Sequence, residues 1–161
     1  MSAPAHIAAG ETGYRLLEDP DGASGYTPII THPERLTWVE SHYPVFQRMV
    51  AQGAWMQVTA GALTGAFGKR AQLWGERFVG EGFTHILATD AHSTGRRCPR
   101  LSEGLEVVRR LVGDAEAQRM VSQRPIAVLE NLSPTDYGLP QKEAERPSMI
   151  GKWFSKVRGL P

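Results

Sequence analysis

The sequence predicts an α/β protein with parallel strands, and two observations support this fold class. Short apolar runs alternate along the chain with segments in which apolar residues recur every three or four positions. Two of the apolar runs also end abruptly in polar side chains, as strands do at the carboxyl edge of a parallel sheet or barrel. With 161 residues, the chain is long enough for one domain with its own core.

The strands are predicted from apolar runs bounded by turn residues. The first, at 14–18, is closed by the turn sequence Asp-Pro-Asp-Gly, and the second, at 26–30, leads into Thr-His-Pro-Glu-Arg. The third, at 55–59, alternates in its middle, and the fourth, at 84–89, ends at Asp90.

The helices are predicted from amphipathic spacing and from end signals. Apolar residues spaced by four, three and four positions indicate the longest one, at Phe67, Ala71, Trp74 and Phe78. The predicted helices cover 43–52, which Gly53 stops, 67 to about 80, 101–112 and 114–123, and a short last one carries Pro125 in its first turn.

Composition excludes several classes of function. A net charge of +1 without a basic stripe argues against a nucleic-acid surface, and no apolar run approaches the roughly 20 residues of a membrane span. The single cysteine, Cys98, excludes an intramolecular disulfide framework, so a cytoplasmic location is expected. A thiol phosphatase would need an arginine six residues after Cys98, where Gly104 stands. Residues 61–70 likewise miss the spacing of a nucleotide phosphate loop.

Metal-capable residues follow two of the predicted strands. Asp90 and His92 stand at i and i+2, so on extended backbone their side chains point to the same side. His32 follows the strand at 26–30 and supplies a third candidate ligand. Carboxylate and imidazole together suit manganese, iron or zinc. Each residue alone would more often be a helix cap or a surface side chain, but the two turns together favour a site.

Arginines accompany both turns. Arg35 lies three residues after His32, while Arg96 and Arg97 follow His92 closely. Guanidinium groups match phosphate oxygens with two parallel hydrogen bonds, so these arginines are candidate phosphate ligands. The alternative for Arg96 or Arg97 is a solvated loop residue. Glu34 is predicted to support the turn rather than to bind a metal directly, and His42 and His85 are predicted to be structural.

Three segments in series resemble the polymerase-and-histidinol-phosphatase (PHP) superfamily. They are 26–35 (YTPIITHPER), 57–68 (QVTAGALTGAFG) and 87–92 (LATDAH). Within the superfamily they are most similar to the manganese-dependent bacterial protein-tyrosine phosphatases encoded with capsule and exopolysaccharide genes. The resemblance covers about 14–132, between an N-terminal segment at 1–13 and a polar C-terminal tail at 133–161 that carries a basic-aromatic cluster.

The resemblance implies a fold, an activity and a ligand set. The fold would be the C-terminal part of a distorted (β/α)7 barrel with metal ions at its mouth. The substrate would be phosphotyrosine on a bacterial kinase that regulates polysaccharide synthesis, and the cofactor would be Mn²⁺ or another divalent ion. Matched family positions would make His32, Asp90, His92 and Glu18 metal ligands, and Arg35 with Arg96 or Arg97 phosphate ligands.

The chain departs from the family pattern at its start. The family opens with a His-x-His strand, whereas this chain has only His6 among its first thirty residues and no His-x-His pair. An N-terminally truncated domain is therefore expected. An inactive remnant that acts as a binding module, self-association into a homo-oligomer, and action on a small molecule such as histidinol phosphate remain open alternatives, although residues 59–65 favour the tyrosine-phosphatase branch.

Overall fold

The computed structural model describes residues 27–95, 99–133 and Tyr137, together with two short strands near the start. These two, β1 (Ala9–Gly10) and β2 (Gly13–Tyr14), pair antiparallel. The predicted strand at 14–18 is described only at Tyr14. Most of the predicted segments 1–13 and 133–161 lies outside the described residues.

A three-stranded parallel sheet organises the described part of the chain. Its strands are β3 (Ile29–Thr31), β4 (Trp55–Thr59) and β5 (Ile86–Ala88), in the order β3-β4-β5. Both outer strands run parallel to β4, so all three carboxyl ends lie at one edge of the sheet. The predicted α/β class with parallel strands is confirmed.

Helices follow each strand of this sheet. They are a 3-10 turn (Pro33–Arg35), α1 (Tyr43–Ala51), α2 (Ala60–Leu63), α3 (Gly68–Gly80), α4 (Ser102–Val112), α5 (Asp114–Gln118), a π turn (Arg119–Gln123) and α6 (Arg124–Leu129). Three of the predicted helices are confirmed to within a residue or two as α1, α3 and α4. None of the helices in the described ranges is long and apolar enough to cross a membrane.

The core lies between the sheet and helices α1 and α3. Ala71, Trp74 and Phe78 are buried, as their spacing predicts, and the ring of Phe78 packs 5.4 Å from that of Tyr43. Phe67 is an exception, because it precedes α3 instead of joining its buried face. Helix α4 packs directly on α2, since a Cβ on Gly104 would lie 2.7 Å from the Ala60 carbonyl oxygen.

The predicted helix at 114–123 is interrupted by a π turn, which lies between the two members of a buried ion pair. In an uninterrupted α-helix, residues i and i+8 would lie about 80° apart around the axis. The wider π turn compensates for this offset, and Arg124 Nη1 donates to Glu116 Oε1 at 2.7 Å. The turn also precedes Pro125, which has no amide hydrogen to donate.

This ion pair reaches the amino end of β5. Arg124 Nη1 donates to the His85 carbonyl at 3.2 Å, and the Met56 amide donates to His85 Nδ1 at 3.2 Å. His85, Glu116 and Arg124, the buried cluster, are exposed by 2%, 1% and 0%. Burial and the Arg124 charge lower the pKa of His85 to about 4, so the ring is neutral. The structural role predicted for His85 agrees with these contacts.

Candidate metal and phosphate site

The first half of the site is a sharp turn at the end of β3. The His32 amide donates to the Gln57 carbonyl at 2.9 Å, which extends the ladder between β3 and β4 by one residue. His32 then adopts a left-handed backbone conformation, with φ 41° and ψ 48°, and Pro33 begins the 3-10 turn. A left-handed conformation costs an ordinary residue about 1–2 kcal/mol, so the surrounding contacts must hold it.

Glu34 supplies one of these contacts. Its side chain is fully buried, and the Thr59 amide at the end of β4 donates to its Oε1 at 3.1 Å. The other oxygen, Oε2, is buried with no hydrogen-bond partner in the described ranges. Burial raises the pKa of Glu34, while the hydrogen bonds from the backbone amides of Glu34 and Thr59 oppose that increase. Glu34 thereby fixes the turn to the neighbouring strand.

The second half of the site follows β5. Asp90 is also left-handed, with φ 49°, so the extended backbone assumed when Asp90 and His92 were predicted to point to the same side is not observed at Asp90. Its carboxylate nevertheless contacts both Arg35 and His92. Arg35 Nη1 donates to Oδ2 at 2.5 Å, and His92 Nε2 lies 3.1 Å from Oδ1. We call Arg35, Asp90 and His92 the edge cluster, whose side chains are exposed by 28%, 19% and 61% respectively. Three residues singled out from the sequence therefore meet at the carboxyl edge of the sheet, within reach of solvent.

An aromatic ring borders the edge cluster. The Arg35 guanidinium carbon lies 4.4 Å from the ring centroid of Phe67, a cation–π distance. Phe67 ends the turn at 64–67 that follows α2, and the Ala66 amide closes this turn by donating to the Gly61 carbonyl at 2.9 Å. Sequence spacing assigned Phe67 to a helix face. Its position just after the glycine-rich segment at 61–65 is the sequence signal that could have placed Phe67 in a turn instead.

The other predicted site residues are placed less completely. His32 follows β3 at the same edge of the sheet, but the described residues contain no group of three His, Cys, Asp or Glu side chains close enough to hold a metal ion. Glu18, Arg96 and Arg97 lie outside the described residues. The structure thus joins Arg35, Asp90 and His92 and leaves the remaining assignments untested.

The chemistry of the edge cluster fits two adjacent positions around a divalent ion. Neighbouring ligands of an octahedral ion at about 2.1 Å are themselves about 3.0 Å apart. The 3.1 Å between Asp90 Oδ1 and His92 Nε2 matches that separation. A carboxylate oxygen and an imidazole nitrogen are also donors that manganese, iron and zinc accept. The pair is suited to a metal, with Arg35 beside it.

Comparisons with known proteins show the family to which the chain belongs. The family model described as capsular polysaccharide synthesis, CpsB/CapC, matches residues 22–130, so the chain belongs to the CpsB/CapC family. Tyrosine-protein phosphatase YwqE of Bacillus subtilis is 31% identical over 127 residues, which are 79% of this chain and 49% of YwqE. Tyrosine-protein phosphatase CpsB of Streptococcus agalactiae is 24% identical over 116 residues, 66% of this chain and 46% of CpsB.

A comparison with solved structures shows which fold the chain shares. Crystal structures of YwqE from Bacillus subtilis and CpsB from Streptococcus pneumoniae are described as those of unique metal-dependent tyrosine phosphatases. The match has a TM-score of 0.65 and 29% identity, and it covers 77% of this chain and 49% of that chain. The PHP-type fold expected from the motifs is confirmed. The chain spans about half the length of the relatives it matches.

Proposed function

We propose that this member of the CpsB/CapC family is a metal-dependent protein-tyrosine phosphatase acting in capsule or exopolysaccharide synthesis. One observation carries the proposal: the edge cluster places an arginine, a carboxylate and an imidazole together at the carboxyl edge of a parallel sheet. Hydrolysis of a phosphate monoester needs a metal-activated water and positive charge on the phosphoryl oxygens. The edge cluster offers side chains for both tasks.

We propose Mn²⁺ as the metal, held by Asp90 and His92 with His32 and Glu18 as further ligands. A bound ion would lower the pKa of a coordinated water and polarise the phosphoryl group. Because a metal ion binds a carboxylate and an imidazole nitrogen only when they carry no proton, affinity should decrease at acidic pH.

Arg35 is the proposed phosphate ligand among the described residues. Its guanidinium is held from two directions, by Asp90 and by the Phe67 ring, so its orientation is set before substrate arrives. Such preorganisation avoids ordering a long side chain at the moment of binding. Arg96 or Arg97 is proposed as a second phosphate ligand.

The proposed substrate is a phosphotyrosine of a tyrosine kinase that regulates polysaccharide synthesis, and the proposed location is the cytoplasm. The names of the relatives as tyrosine-protein phosphatases and the capsule description of the family support the substrate class. A metal-activated water also requires no cysteine nucleophile, in keeping with a chain whose single cysteine lacks the arginine spacing of thiol phosphatases.

Metal binding provides the first test. Calorimetric titration should show weak Mn²⁺ binding by the chain, and Asp90→Ala should abolish it because only neutral imidazoles would remain among the described donors. Asp114→Ala is the matched control: this carboxylate is 91% exposed and pairs with Arg109 away from the site, so binding should be unchanged. Equal binding by Asp90→Ala and the unsubstituted chain would contradict the assignment.

Turnover of a phosphate ester provides the second test. The described residues supply only part of a multi-metal site, so we expect p-nitrophenyl phosphate to be hydrolysed slowly at most. Whatever turnover occurs should disappear with a chelator and in Asp90→Ala, and it should survive thiol-blocking reagents. Chelator-resistant hydrolysis would remove the metal-dependent mechanism.

A further inference from the structure

We infer that Phe67 forms an aromatic wall of the phosphoester site and makes the site prefer aryl over alkyl phosphate monoesters. The inference rests on the proposed function and adds a residue that determines substrate class. Neither the chain's metal-capable residues nor its arginines discriminate an aryl ester from an alkyl ester, because both present the same phosphate. A residue that distinguishes the two ester groups must lie beside the side chain that binds the phosphate.

Phe67 has that position. Its ring centroid is 4.4 Å from the guanidinium carbon of Arg35, and Arg35 also donates to Asp90. A phosphate bound by Arg35 would therefore lie beside Phe67. Aromatic rings pair favourably at centroid distances of about 4.5–7 Å, in offset-stacked or edge-to-face arrangements. The aryl ring of a phosphotyrosine would fall in that range.

The ring is also held in place by its own segment. A Cβ on Gly61 would lie 3.1 Å from Phe67 Cε2, so the glycine leaves the space that the ring fills. The turn at 64–67 is closed by backbone hydrogen bonds from Ala66 to Gly61 and from Gly68 to Gly65, each 2.9 Å long. Phe67 nevertheless stays half-buried rather than fully buried. An ordered ring that keeps part of its surface exposed is suited to contacting a ligand.

The expected size of the preference follows from aromatic pairing. Pairs of aromatic rings are stabilised enough, beyond simple burial, to change an affinity by about 2- to 10-fold. The preference should therefore appear as a ratio of dissociation constants. A residue that merely positioned Arg35 would change the affinity for both kinds of ester equally and would leave this ratio unchanged.

The test is a titration of the full chain, in Mn²⁺, with phenyl phosphate and with ethyl phosphate. The unsubstituted chain should bind phenyl phosphate more tightly than ethyl phosphate, and Phe67→Leu should reduce the ratio of the two dissociation constants by about 2- to 10-fold. Phe83→Leu is the matched control, because Phe83 packs near Tyr43 and precedes the amino end of β5. Its ratio should equal that of the unsubstituted chain.

Two further results separate the possible failures. An unchanged ratio in Phe67→Leu, or a ratio lost equally in Phe83→Leu, would overturn the inference and leave the proposed function standing. Binding of neither ester by the unsubstituted chain would overturn the proposed function and the inference with it. Gly61→Ala gives an independent check: its Cβ crowds the Phe67 ring, so the ratio should decrease although the ring is retained.

Discussion

The two ends of the parallel sheet carry the same three kinds of side chain in opposite surroundings. The edge cluster at the carboxyl end and the buried cluster at the amino end each combine an arginine, a carboxylate and a histidine. The side chains of the edge cluster are 19–61% exposed, whereas the residues of the buried cluster are at most 2% exposed. The residue types are therefore the same, and the two clusters differ in solvent access: only the edge cluster is open to contact by a ligand.

The largest expected effect comes from breaking the buried cluster. Arg124→Met leaves the Glu116 carboxylate buried without this partner, and removal of one member of a buried ion pair costs about 3–5 kcal/mol. The free energy of unfolding, measured by urea denaturation, should decrease by about that amount. Arg119→Met is the control, because Arg119 binds the same carboxylate but is 23% exposed, and it should cost about 1 kcal/mol.

The interpretation can be checked with a double variant. Arg124→Met combined with Glu116→Gln removes the buried negative charge that Arg124 no longer balances and that only the partly exposed Arg119 still contacts among the described residues, so it should be more stable than Arg124→Met alone. A double variant as unstable as the sum of the single ones would indicate that packing, rather than charge, accounts for the loss.

The next effect is the pH dependence of His85. Its pKa of about 4 in the folded chain lies below the ordinary histidine value of about 6.5, so between these values the unfolded chain binds a proton that the folded chain does not. Stability should be complete above about pH 6.5 and decrease by up to about 3 kcal/mol as the pH falls to 4. His85→Asn keeps an acceptor for the Met56 amide and should flatten this dependence.

The measurement is the free energy of unfolding at several pH values for both proteins. The difference between their slopes isolates His85 from the carboxylates, which titrate in both. Parallel slopes would show that His85 does not account for acid sensitivity.

The smallest effect on stability is expected at the edge cluster. Arg35→Gln removes the ion pair with Asp90, but partly exposed pairs contribute only about 0–1 kcal/mol. The free energy of unfolding should therefore change by less than about 1 kcal/mol, while the affinity for phenyl phosphate should be strongly reduced. A loss comparable to that of Arg124→Met would mean that both clusters are structural and would end the contrast drawn between them.

Sequence periodicity predicted those elements whose signals are local. Strand β4 was predicted with its observed bounds, because its apolar run is short and bounded by turn residues. The buried face of α3 followed from the spacing of Ala71, Trp74 and Phe78. The edge cluster could be predicted in part because Asp90 and His92 directly follow a strand and the carboxyl ends of parallel strands share one edge.

What the sequence did not predict depends on contacts between distant residues. Glu116 pairs with Arg124 across a π turn, and no periodic pattern of apolar residues predicts such a turn. The short helix α2 has only four residues, too few for a helical period. Phe67 fitted a helical spacing by coincidence, and its contact with Arg35, which lies in the 3-10 turn after β3, could not be predicted from that spacing.

At His32 and Asp90, the left-handed backbone favours glycine, whereas the proposed ligand contacts require an imidazole and a carboxylate. Glycine would adopt φ values of 41° and 49° at lower energetic cost, but it would carry neither imidazole nor carboxylate. Selection for heat resistance alone would therefore favour replacing these two residues, and selection for ligand contacts would retain them. A library of variants screened only for folding should drift at these positions toward glycine or asparagine, and its most stable members would be those that had lost the site.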